Sequence, residues 1–137
     1  MGNYDMTGWP QVAYTYDGTF DGFLTCVYES YVHHERAAAF SAPGQAQLSL
    51  YPERPVDTHP DHARRVRQSL PHRLSPQGAR LAVYGFLTAL PDREQHLYDF
   101  LALGFQRGPS VLHDLTDERV FTLNRAVKYL TAEAHLL

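Results

Sequence analysis

Sulfur is scarce in this chain of 137 residues: Cys26 stands alone, beside two methionines. A lone cysteine cannot close an internal disulfide, and no cysteine triplet exists to hold an iron–sulfur cluster. A reducing compartment, the cytoplasm, is the expected setting. No apolar run reaches the length of a membrane span, and the opening MGNYDMTGWP lacks the charged and apolar regions of a signal peptide. No membrane partner is therefore expected. Excess charge is missing as well, and at a net −3 the chain as a whole does not attract phosphate. Lysine is almost absent, because all but one of the twelve basic residues are arginine, the side chain best suited to bidentate phosphate contacts. What is present is core material: 44% apolar residues, including nine Tyr, seven Phe and one Trp among the aromatics. Length and composition fit one domain, 1–137, with a real core.

Val12, Tyr14 and Tyr16 alternate with Ala13 and Thr15, the period of a short strand. Asp17-Gly18 is a turn, and Thr19 stands where an N-cap belongs, ahead of Asp21. Phe20, Phe23, Leu24, Val27, Tyr28 and Tyr31 follow at helical spacing, with Ala37–Ala39 extending that helix by a turn. The segment to Pro60 is a connector broken by Pro43, Pro52 and Pro55, with weak strand signals at Leu48–Tyr51 and Val56–Thr58. A second helix starts near Pro60, buries Ala63, Val66 and Leu70, and ends or kinks at Pro71. Ser75-Pro76 opens a third, carrying Ala79, Ala82, Val83, Phe86, Leu87 and Leu90. Asp92 and Gln95 have capping-box spacing at the head of a fourth, which Gly108-Pro109 stops. A fifth runs from about Asp117, with Val120, Leu123, Val127, Leu130 and Ala134 as a single seam. The expected fold is α+β and predominantly helical, with about five helices packed with one short N-terminal strand and one or two weak strands. A lone strand leaves its backbone groups unsatisfied, so 12–16 needs partners.

Three pieces of the chain, in order, resemble an uncharacterised bacterial family described as probable DNA metabolism proteins. They are Tyr16–Tyr31 (YDGTFDGFLTCVYESY), Leu103-Gly104-Phe105-x-x-Gly108, and Glu133-Ala134-His135. The resemblance implies an accessory of DNA metabolism or DNA repair that works beside a radical-SAM protein. In some members the domain is fused to a uracil-DNA glycosylase-like module. The similarity extends over nearly the whole chain but covers roughly the N-terminal half of the family pattern. It therefore implies a further region, which could hold strand partners for 12–16.

Arg64, Arg65 and Arg67, extended by Arg73 and Arg80, form the one basic cluster, opposed within residues 60–80 only by Asp61. They suit sequence-tolerant contact with DNA backbone; a solvated helix face accounts for the same residues. Arg107 lies in the loop Gly104–Pro109, where a following helix N-terminus could receive a phosphate, although a C-cap and proline stop already explain Gly108 and Pro109. No metal or other cofactor is expected. His59 and His62, His33-His34-Glu35, and Glu133 with His135 are the available groupings, and none makes an anchored ligand set. Glu133 and His135 match the family motif yet stand two apart on a helix, on different faces, so as catalytic candidates they need another neighbour. Cys26 reads as packing, and Asp17, Asp21 and Glu29 as capping or solvated groups. The leading function is a non-catalytic DNA-metabolism accessory. Alternatives are a nucleic-acid repair or modifying enzyme that needs a missing region or partner, and an interaction module docking through the Val120–Ala134 seam or an open strand edge.

Overall fold

The computed structural model describes residues 4–44, 50–114 and 116–136, with side chains through position 131. The fold is α+β, and the chain divides into two compact units, Met1–Gln68 and Ser69–Leu137.

The first unit is built on a parallel sheet of β1 (Gln11–Thr15), β2 (Arg36–Ser41) and β3 (Glu53–Pro55), in the order β2-β1-β3. The partners that the first strand requires are thus both inside this chain. The stretch containing Ala37–Ala39 is β2 and not an extension of the first helix. α1 (Phe20–His33) ends because His34 takes a left-handed conformation (φ 51°) and returns its N–H to the Ser30 carbonyl. The Ser30 hydroxyl then donates to the Glu35 carbonyl at 2.6 Å, and Arg36 N joins the sheet through the Pro10 carbonyl at 2.8 Å. Sheet pairing overrides the helix preference of the three alanines. The third strand also differs from expectation. It falls at Glu53–Pro55 and not at 56–58; Leu48 and Ser49 lie outside the described residues, and Leu50 and Tyr51 are in a bend. As the middle strand, β1 buries Val12, Ala13 and Tyr14 together, because a central parallel strand is covered on both faces. Phe23 of α1 meets Phe40 of β2 with ring centroids 5.3 Å apart, which ties helix to sheet.

α2 (Pro60–Leu87) begins in this unit and runs on into the second. Among the described residues there are four α-helical elements against about five expected, and α2 itself is two helical segments joined across a kink at Ser75. Pro71 does not end it. The break comes at Ser75, with φ 76° and ψ 162°, and the Ser75 hydroxyl restarts the helix by accepting from Gly78 N at 3.2 Å. In the second unit α3 (Arg93–Arg107), a 3-10 turn (Gly108–His113) and α4 (Glu118–Leu136) follow. The capping box at Asp92 does not form: Asp92 has no side-chain cap bond, and Gln95 instead donates to Asp99 at 3.2 Å. Leu70, Leu74, Ala82, Leu97, Phe100, Leu101, Val111, Val120 and Leu123 make this unit's core. At Gly104 α3 packs tightly on Leu74 of α2, because a Cβ there would run into Leu74 Cδ2. Gly108 caps α3 with φ 75°, returning its N–H to the Gly104 carbonyl.

Candidate functional site

The basic stretch of α2 in the first unit starts from a defined cap. His59 Nδ1 accepts from His62 N at 3.3 Å, so the helix is set before the arginines begin. Ala63, Val66 and Leu70 are buried, as their spacing predicts. Helical geometry turns about 100° per residue. Arg67 therefore borders the buried stripe, while Arg64 and Arg65 leave on either side of the face opposite it. The arginines do not form one row. Arg64 pairs with Asp61 and Arg67 with Asp21 of α1. Arg65 is exposed, with no acidic partner among the described residues.

The remaining arginines belong to the second unit. Arg73 and Arg80 are exposed. Arg107 stands at the N-terminus of the following element, which is a short 3-10 turn and not an α-helix, and it binds Asp114 at 2.8 Å. The Thr116 hydroxyl bond, with Arg107 second, holds the Asp114 carboxyl below the usual carboxylate range. Glu133 and His135 lie beyond the described side chains.

The acidic residues at the end of β1 are each engaged separately. Asp17 accepts from the Thr19 hydroxyl at 2.6 Å, from Thr19 N at 2.9 Å and from the Thr58 hydroxyl at 2.6 Å. Thr19 in turn accepts from Gly22 N at 2.9 Å, the N-cap bond that starts α1. The two hydroxyl donors hold the Asp17 carboxyl below its ordinary range. A Cβ on Gly22 would meet Asp17 Oδ1, so glycine is what lets the carboxylate sit over the first turn. Glu29 pairs with His33 at 2.7 Å. The Thr58–Asp17 bond is the part that sequence reasoning misses, because 41 positions separate the two residues and no local pattern announces it.

His34, His59 and His62 take part in ring stacking. The rings of His59 and His62 stack with centroids 3.6 Å apart, and Tyr28 lies on His62 at 3.9 Å. Stacked rings hold their nitrogens in parallel planes, and among the described residues no group of acids, histidines and cysteines is arranged to hold a metal ion. His62 Nδ1 is buried without a partner. His34 stacks under Trp9 at 5.0 Å. Glu35 is buried, accepting from Tyr14 OH at 2.7 Å with Arg54 Nε 3.4 Å away. Cys26 is fully buried, and burial with the charges of Asp17 and Glu29 pushes its thiol far above the usual range. That removes the thiolate a nucleophile needs. Val120 and Leu123, two members of the expected docking seam, are fully buried within the second unit.

Compared with known proteins, the chain matches no family model, no curated protein and no solved structure.

Proposed function

We propose that this protein is a DNA-metabolism accessory that meets polynucleotide backbone, or a radical-SAM or glycosylase-type repair partner, without performing chemistry by itself. The motif resemblance supplies the biological setting. The observation that carries the DNA contact is Arg65: an exposed guanidinium on the outward face of α2 with no acidic partner among the described residues. Its neighbours add to it at low cost. The side chains of the Arg64–Asp61 and Arg67–Asp21 pairs are 44% exposed or more, and such pairs contribute only about 0–1 kcal/mol. A phosphate can replace either carboxylate without a large loss. The reading puts the protein in the cytoplasm, which its single buried cysteine supports. Among the described residues, no helix is long and apolar enough to cross a membrane.

The test is anisotropy with short single- and double-stranded DNA at low and moderate salt. Binding should weaken as salt rises, with a slope of about −0.7 to −0.9 per phosphate contacted. Arg65→Glu should weaken binding equally across sequences, because a backbone contact reads no base. Salt-independent binding, or none at any concentration, rules out the DNA contact.

A further inference from the structure

The second unit contains a cleft of about 610 Å³, inside the range of roughly 300–1,000 Å³ common for small-molecule sites. Three elements each turn one face towards it. α2 gives Gln77, Arg80, Leu81 and Tyr84, at the i, i+3, i+4, i+7 spacing of a single helical stripe. The 3-10 turn gives Pro109, Leu112 and His113, and α4 gives Asn124, Val127 and Thr131. None of these lining residues is acidic.

The polar groups fall into two sets. Asn124 and Thr131 each turn a donor to a backbone carbonyl of α4, with Asn124 reaching Val120 O at 3.2 Å and Thr131 reaching Val127 O at 3.1 Å. Gln77, Arg80, Tyr84 and His113 have no partner among the described residues. All four can donate, and one is a permanent cation. Elsewhere in this unit Arg107 and Arg119 are matched by Asp114 and Asp117, whereas Arg80 is left open beside a cleft with an apolar wall of Leu81, Leu112 and Val127.

We propose that this cleft binds a small organic anion: a carboxylate or phosphate head taken by Arg80, and a flat apolar body laid against Leu81, Leu112 and Val127. A guanidinium fits either head bidentately, and the donor-rich rim disfavours a cationic ligand, which would find no carboxylate among the described lining residues. The site goes beyond the DNA contact and uses a different arginine, so each can fail without the other.

Naphthoate, thymidine monophosphate and inorganic phosphate would be titrated separately into the full chain by calorimetry, with amide NMR locating the perturbed residues. At least one organic anion should bind saturably and shift residues of the three lining elements. Whichever binds tighter identifies the head as carboxylate or phosphate, and inorganic phosphate alone should bind far more weakly. Arg80→Gln should lower affinity roughly tenfold to a hundredfold, the loss of one charge-assisted contact, while Arg65→Gln leaves it unchanged. Val127→Phe, which narrows the apolar wall, should also weaken binding with the helical circular dichroism retained. The assignment is overturned by failure of both organic anions to saturate, by equal binding of inorganic phosphate, or by full affinity in Arg80→Gln.

Discussion

Asp17 joins the end of β1 to the start of α1 and to Thr58, through three accepted hydrogen bonds. Asp17→Ala removes all three and frees the Thr19 cap, and should cost about 1–2 kcal/mol in urea unfolding. The carboxyl is held below its ordinary value, so its contribution is fully present above the unfolded pKa of about 3.9 and is lost as pH falls through the lower native value. The wild-type chain should therefore lose more stability than Asp17→Ala between about pH 5 and 2. Identical acid limbs would show that Asp17 does not carry this dependence. Asp117, held at about 2 by its bonds to Arg119, adds to the same acid limb in both chains. At the other end of the crossover, Tyr14→Phe strips one bond from the buried Glu35 carboxylate and should cost about 1–3 kcal/mol. The Thr19 cap was legible from its neighbours in sequence. The Tyr14–Glu35 bond was not, because both look like surface-tolerant residue types until the fold buries them.

Ser75 interrupts α2 with a φ of 76° and a ψ of 162°, a region of backbone space that is nearly confined to glycine. Two substitutions separate strain from capping. Ser75→Gly relieves the strain and loses only a few tenths of a kcal/mol of cap energy, so it should leave stability equal or raised by up to about 1 kcal/mol. Ser75→Ala keeps the strain and loses the Gly78 bond, and should cost about 1 kcal/mol. Thermal unfolding of the pair checks both, and Ala more stable than Gly would contradict the conformation. Farther along, Gly104→Ala drives a methyl into Leu74 and should cost about 1–3 kcal/mol. Combined with Leu74→Ala, the loss should fall short of the sum of the two single changes, since both alter one contact. Helix starts and stops at Thr19, Pro60, Ser75 and Gly108 could be read from local chemistry. The strand at 36–41 could not: three consecutive alanines carry a helix preference, and only the neighbouring β1 makes extension worthwhile.

Taken over its full length the chain is mildly acidic, yet its arginines are handled individually. Some are neutralised by a nearby acid, while Arg65 and Arg80 have no acidic partner among the described residues. Sequence clustering alone overstated the basic surface, because Asp21 lies far from Arg67 in the chain and reaches it only in the fold. Cys26 offers a probe of the first unit's integrity. It is fully buried with its thiol pushed up, so a thiol reagent should label it only as fast as that unit opens. Labelling in native buffer at the rate of the urea-unfolded chain would contradict the burial.

Periodicity, capping residues and proline positions were enough to establish a mostly helical chain with a strand before its first helix, because those signals act over a few residues and need no partner. The same signals located the buried stripe Ala63, Val66, Leu70 and the cap at Gly108. Tertiary structure alone decided that β1 is the middle of a parallel sheet, that Glu35 is buried, that Arg67 is neutralised, and that three separate faces line a cleft with Arg80 at its side. Each of those outcomes depends on residues far apart in sequence being brought within bonding distance, and that distance exists only once the chain has folded.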